Sequence, residues 1–476
     1  MQYEFLQRCK KYPLALIHNI QVCLETVAIL FILLLSLPFS VCRWFVIQFA
    51  YRFRNDLGKI LSHLDIVCDN EHEASVDVDC SKHVSQNSVL FTLVLDGILK
   101  LSDLQYNFKM NVINTEKYTQ LQQYPTNFMG YRFWKQDESF ILENHVVQEN
   151  FEGSLSNLHE NLLNRPFLPK RSPWELVLIQ NKENKQTILG FRISHTMSDA
   201  KSAMKLLFNH LGQKPFNQEA VGKGKTLSLP FKIIKTIPTL ISLVNTAIRG
   251  RNHPWKNYNF DDNQTPYSVT FSNPLSLPDI KAIAKKNNAS GSSVIMAAIT
   301  GAIHNLQEAT LRRKTLCMYP LPKENHPDTE MKNHFYTPVV SLPTRESCPK
   351  KRLAECHQRF INLRKNHNEK LQEVVLVSVN LPGPVRKYLP KNQLAPMIIT
   401  NNVGAKEEFE IGGFPVVKLC GSFALLEGTV GVGFFTLSYG DELNISVIAK
   451  GNTISRKTLN KLAEGIGTEL EILKGL

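Results

Sequence analysis

The stretch from Trp174 to Leu211 constrains this chain more than any other. Trp174-Glu-Leu-Val-Leu-Ile-Gln180 reads as a strand, Asn181 to Lys185 as a turn, and Thr187-Ile-Leu-Gly-Phe-Arg-Ile193 as the strand that pairs back. A helix is expected from Ala200 to Leu211, with Ala203, Leu206, Leu207 and Leu211 on one face and Gly212 as its stop. Between hairpin and helix lies Ser194-His195-Thr196-Met197-Ser198-Asp199. His195 therefore sits at a strand-to-helix turn with its imidazole free to work. Neutral imidazole is the commonest general base near pH 7. Chance alone predicts about 0.4 His-x-x-x-Asp matches in a chain of this His and Asp content, so the flanks carry the signal.

The rest of the chain repeats this alternation. Ser88-Val-Leu-Phe-Thr-Leu-Val-Leu-Asp96 is a continuous apolar run, as expected of a strand buried on both faces. Ser154 to Asn164, Leu277 to Lys286, Ser292 to Leu306, Pro349 to Asn368 and Ser455 to Leu473 have helical spacing. Leu316 to Leu321, Phe335 to Leu342 and Met397 to Asn401 read as strands, and Gly431 to Ser438 with Asn444 to Ala449 as a hairpin around Gly440. Asn70 to Asn87 is polar and reads as a loop. Residues 212–265 are broken by Pro and Gly and read as a connection, with 231–248 as an apolar stretch packed between domains or touching a membrane. Two blocks of alternating strands and helices predict an α/β chain of two sandwiches meeting at an interface, where sites form. The expected division is 1–57 as an anchor, 58–214 as an N-terminal half carrying His195, 215–265 as a crossover and 266–476 as a C-terminal half.

Thr26 to Cys42 holds 17 residues without a charge, bounded by Glu25 and Arg43. As a helix it covers about 25 Å, and flanking apolar residues extend it toward the ~30 Å of a bilayer core. Trp44, Tyr51, Arg52 and Arg54 resemble interfacial anchors. A membrane-anchoring helix or hairpin is expected, against a buried core helix or a cleaved signal peptide. Basic residues flank both ends, so the positive-inside rule leaves orientation open. The 55 basic and 42 acidic residues give a net charge of +13. No nucleic-acid motif accompanies it, and the partner expected is an anionic membrane surface or a phosphorylated acyl donor. None of the nine cysteines is spaced as Cys-x-x-Cys, which predicts reduced thiols and a cytosol-facing globular part.

Six short segments in order resemble the wax ester synthase/diacylglycerol acyltransferase family, within the wider CoA-dependent acyltransferases. Phe140 and His145 resemble its strand before the hairpin, and Pro173-Trp174-Glu175 its Pro-Leu-Trp-Glu. Ser194-His195-x-x-x-Asp199-Ala200 resembles His-His-x-x-x-Asp-Gly. Asn333 with Leu342-Pro343-Thr344 resembles its Gly-Asn and Leu-Pro segment, Asn401-Asn402-Val403 its Ser-Asn-Val, and Leu437-Ser438-Tyr439 with Asn444 its ending. The chain departs at Ser194 and Ala200, at Ser292-Ser293 in place of Asn-Asp, and in lacking Pro-Gly-Pro after Val403.

The resemblance implies a two-domain CoA-dependent acyltransferase-like sandwich and an O-acyltransferase. Acyl-CoA is the co-substrate, and a lipid alcohol, either a fatty alcohol or diacylglycerol, is the acceptor. It implies His195 as general base and Asp199 as a brace paired with an arginine. Asn333 is expected on the substrate, as one candidate oxyanion donor. No metal and no bound cofactor are expected, since no further ligands accompany His195 and Asp199. The location expected is the endoplasmic reticulum membrane, with the catalytic part facing the cytosol. The competing reading is a catalytically silent lipid-binding or scaffolding protein of the same fold.

Overall fold

A computed structural model describes residues 34, 37–69, 87–115, 117–212, 253, 255, 265–306, 315–323, 326–327, 330–366, 381–386, 395–425, 430–451 and 453–476. The segment 231–248, the loop 70–86 and most of Thr26–Cys42 lie outside them.

The run Ser88–Asp96 is a strand at the centre of a six-stranded sheet, and all of it but Asp96 is buried. Its neighbours are Gln186–Ser194 on one side and Phe414–Phe423 on the other, both antiparallel. Trp174–Asn181 and Val146–Gln148 complete one edge and Glu410–Ile411 the other. The division expected at residues 215–265 therefore does not separate the sheets: Phe414–Phe423 crosses back from the C-terminal half. Period-2 reading missed this strand because its sequence, FPVVKLCGSF, is buried along its second half on both faces. A buried histidine fastens the crossing strand. His159, on the helix Leu155–Asn164, lies 2.8 Å from Thr92 Oγ1 and 2.6 Å from Ser422 Oγ. Burial lowers its pKa to about 3, so the ring stays neutral, with one nitrogen donating and the other accepting.

The second sheet has seven strands and is mixed. Val339–Leu342, Thr315–Met318, Met397–Val403, Val432–Tyr439, Glu442–Lys450 and Tyr267–Phe271 follow in that order, and the short Leu275–Ser276 pairs with Glu442–Lys450 off that path. The pairings of Met397–Val403 with both its neighbours are parallel. One face is covered by the helices Leu277–Lys286, Gly291–Asn305, Pro349–Asn366 and Arg456–Gly475, which share an apolar cluster with it. The opposite face joins the cluster of the first sheet through Val269, Ile398, Phe435 and Ile448. The facing sides of the two sheets thus share one apolar cluster, where the sequence had led to the expectation of two sandwiches meeting at an interface. Inside the helical layer, Arg352 and Glu469 form a buried ion pair, and Asn305 donates to the same carboxylate.

A third, three-stranded sheet of Leu57–Ile60, Tyr131–Gln136 and Gln123–Phe128 had no counterpart in the sequence reading. Residues 37–53 form a helix that rests on it through Val46 and Ala50. Among the described residues no helix is long and apolar enough to cross a membrane. The six described cysteines are all free thiols.

Candidate active site

His195 follows the last residue of the strand Gln186–Ser194, and its backbone N–H donates to the Asn87 carbonyl at 2.6 Å. The chain then turns through Thr196 to Ser198 into the helix Ala200–Leu206. Asp199 is its N-cap, the carboxylate accepting from the Ser202 N–H at 2.8 Å. The hairpin, the histidine loop and the helix stand where the sequence placed them. The helix is regular only to Leu206; Leu207–Leu211 is a wider π-type turn before Gly212.

The imidazole is met from the other half of the molecule. Asn333 Oδ1 lies 2.9 Å from His195 Nδ1. The Asn333 amide is oriented by its second side: Nδ2 donates to the His195 carbonyl at 2.7 Å and to Asp65 Oδ1 at 2.9 Å. A backbone carbonyl only accepts, so the NH₂ must face it and the oxygen must face the ring. Nδ1 of His195 therefore carries the hydrogen, and Nε2 is left with its lone pair. Burial holds the imidazole below its ordinary value, against the opposing pull of the Asp199 and Asp65 carboxylates, so the ring is neutral at pH 7. The Phe335 ring covers it edge-on at 5.5 Å.

Asp65 completes this chain of hydrogen bonds. It sits on the short helix His63–Val67, inside a capping box with Ser62. Its Oδ2 accepts from the Ser62 N–H at 3.0 Å while Oδ1 accepts from Asn333. Burial raises its carboxyl above the usual range, and the Ser62 and Asn333 hydrogen bonds oppose this. The Ser62-x-x-Asp65 spacing was the one signal that could have pointed to it, and that spacing announces a helix start rather than a site.

Asp199 faces away from the imidazole, as expected, but its partner differs from expectation. Its two oxygens lie 3.1 and 3.0 Å from His326 Nε2, and Oδ2 also accepts from the His334 N–H at 2.9 Å. A histidine, not an arginine, meets the carboxylate. Burial pushes its pKa up, but the His326 contact and the two backbone donors outweigh this and hold it below the usual carboxylate range. Ser202 Oγ donates to the Lys332 carbonyl at 3.0 Å and Lys205 Nζ to the Pro327 carbonyl at 3.1 Å. These contacts tie the segment bearing Asn333 onto the helix that follows His195.

Asn333 thus meets the histidine rather than open space for a substrate. Its amide hydrogens are directed to Asp65 and to two carbonyls, so it has no donor to spare for an oxyanion. Replacing Asn333 by alanine frees the ring to rotate and to change tautomer. In the acyl transfer that the resemblance implies, turnover is expected to fall about 10²-fold, with the KM for the acyl donor little changed. Steady-state kinetics on the purified variant check this.

Two further motif segments converge on each other. Asn401 Nδ2 donates to Ser292 Oγ at 2.9 Å, and Thr436 Oγ1 donates to Asn401 Oδ1 at 2.7 Å. The Asn401 segment and Ser292 therefore form one polar cluster at the start of the helix Gly291–Asn305. Among the described residues no group of His, Cys, Asp and Glu could hold a metal ion.

Residues 331–474 match the WS/DGAT C-terminal domain. The chain is 23% identical over 394 residues to the O-acyltransferase WSD of Acinetobacter baylyi (strain ATCC 33305 / BD413 / ADP1), covering 72% of this chain and 83% of that protein. In structure it is similar to the wax ester synthase/diacylglycerol acyltransferase from Marinobacter aquaeolei VT8. The TM-score is 0.58 at 17% identity, over 88% of this chain and all of that one. The TRI3 trichothecene 15-O-acetyltransferase from Fusarium sporotrichioides superposes with a TM-score of 0.59 at 11% identity, covering 87% and 94% of the two chains. At these identities the two structures speak for the fold.

Proposed function

We propose that the chain is a member of the wax ester synthase/diacylglycerol acyltransferase family and an acyl-CoA-dependent O-acyltransferase acting on a lipid alcohol, a reading supported by the match of residues 331–474 and by the likeness to the Acinetobacter acyltransferase. A fatty alcohol would give a wax ester and diacylglycerol would give triacylglycerol. The observation that carries the reading is the state of His195. Its Nδ1–H is held by Asn333 and, among the described residues, its Nε2 lone pair has no hydrogen-bond donor, at the junction of the two halves.

In the reaction, His195 Nε2 takes the proton of the acceptor hydroxyl as its oxygen attacks the thioester carbonyl. The tetrahedral adduct collapses with loss of the CoA thiolate, and the imidazolium returns the proton to that sulfur. One ester forms and one thioester breaks. No covalent acyl-enzyme is needed, and no serine or cysteine need act as nucleophile. Asp199 braces the segment that carries Asn333, and Asn333 keeps the ring in the working tautomer.

The acceptor is a membrane lipid, and we place the protein at a membrane with its globular part toward the cytosol. The exposed apolar face of the helix 37–53, the apolar residues before it in sequence and the free thiols support this.

The test is ester formation by the purified full-length chain from a long-chain acyl-CoA and either alcohol. Activity is expected to rise with pH through a midpoint below 6.5 and to be level at neutral pH, since the base works unprotonated and burial lowers its pKa. A folded chain that makes no ester with any alcohol acceptor overturns the reading in favour of a silent lipid-binding protein. An active chain whose acid limb lies well above 6.5 assigns the base to another group.

A further inference from the structure

The helix 37–53 turns Val46 and Ala50 inward onto Tyr131 and Phe133. Its outer side carries Leu37, Val41, Trp44, Phe45, Phe49 and Phe53, each between 46% and 64% exposed. The patch continues across the hairpin of the three-stranded sheet. Phe128 stacks on Phe49 with ring centroids 6.3 Å apart, and Met129 at the hairpin tip is 59% exposed. A contiguous apolar surface of this kind marks a contact with another phase or another molecule.

At the end of the helix the surface changes character. The Arg54 guanidinium lies 4.7 Å from the centre of the Phe128 ring and also lines a cleft of about 440 Å³. Lys135, Lys170 and Arg171 line the same cleft, with the exposed Leu168 beside them. Arg54 and Lys135 share one carboxylate, Asp56, at 2.8 and 3.0 Å, and the deeper Arg132 is paired with Asp69. Lys170 and Arg171 sit on an exposed turn and bring the cleft to a net positive charge. Ser194 and Thr196, the two neighbours of His195, form part of its wall.

Aromatic side chains beside a basic cleft match the two layers of a bilayer surface: the acyl boundary and the phosphates above it. We propose that this face docks on an anionic membrane, with the aromatic row entering the headgroup region and the cleft holding a phospholipid phosphate. The proposal rests on the membrane part of the function proposed above and makes it specific. The chain lies on the bilayer with its basic cleft down, and lipid headgroups are brought next to the backbone that carries His195.

The experiment is flotation of the purified full-length chain with vesicles of phosphatidylcholine alone or of phosphatidylcholine with phosphatidic acid. The wild-type chain is expected to bind the anionic vesicles at least about 10-fold more tightly, with the preference shrinking as salt rises. The double substitution Lys170→Glu and Arg171→Glu is expected to remove the preference while leaving binding to neutral vesicles. Trp44→Ser with Phe45→Ser is expected to weaken binding to both. A wild-type chain without the preference, or a charge-reversed chain that keeps it, overturns the proposal. Displacement of the anionic vesicles by free CoA at micromolar concentration also overturns it, by giving the cleft to a soluble phosphate. The readout is binding alone. A chain that docks as expected but makes no ester therefore refutes the activity and not the docking.

Discussion

Replacing His195 by alanine is expected to lower the rate of ester formation by about 10²–10⁴-fold, the range a positioned general base supplies. The KM for acyl-CoA is expected to stay within a few-fold, because the lost group acts on the hydroxyl proton in the transition state. The fold is expected to survive. The backbone of His195 is held by its N–H to Asn87 and by its carbonyl from Asn333, neither of which needs the ring, and losing the contacts of the ring to Asn333 and Phe335 leaves the hairpin and the helix cap untouched. Melting temperature and kcat measured on the same preparation separate the two effects. A His195→Ala chain that folds and esterifies at the wild-type rate removes the mechanism.

Replacing Asp199 by alanine is expected to act through the fold. The carboxylate is buried and meets three groups at once: the Ser202 N–H, the His334 N–H and His326 Nε2. Removing it leaves two backbone donors and a histidine without their acceptor inside the protein. Loss of one partner from such a buried, charge-assisted cluster costs about 3–5 kcal/mol of stability. Activity is expected to fall with stability, since the freed segment 326–334 carries Asn333. Asp199→Asn keeps one acceptor oxygen and is expected to lose less. Denaturant midpoints of the two variants check this; an alanine variant that unfolds at the wild-type midpoint denies Asp199 its bracing role.

The two substitutions also separate the kinds of information a chain like this carries. The strand–turn–strand–histidine–helix order at Trp174–Leu211 was legible because each part is local. Hairpin pairing, the Asp199 cap and the Gly212 stop depend on residues a few positions apart. The buried strand Ser88–Asp96 was legible for the same reason, since an unbroken apolar run has few other places to go. The helices Leu155–Asn164 and Leu277–Lys286 begin after the serines that cap them, Ser154 and Ser276.

What surrounds the imidazole was not legible, because it is assembled from distant parts of the chain. Asp65, His195 and Asn333 lie 130 and 138 residues apart in sequence, and their contacts exist only once the two halves close. The exchange of an expected arginine for His326 opposite Asp199 is of the same kind. No local pattern distinguishes His326 from any other loop histidine. The crossing of Phe414–Phe423 into the N-terminal sheet follows suit, for pairing between strands more than 300 residues apart leaves no period in either one. The sequence by itself determined which histidine stands at a strand end, and the strand and helix alternation that presents it. Only the tertiary structure decided the tautomer of that histidine, the partner of Asp199 and the exposed aromatic face of the helix 37–53. Hydrogen-bond direction and burial belong to groups brought together across the fold, whereas periodicity belongs to neighbours along the chain.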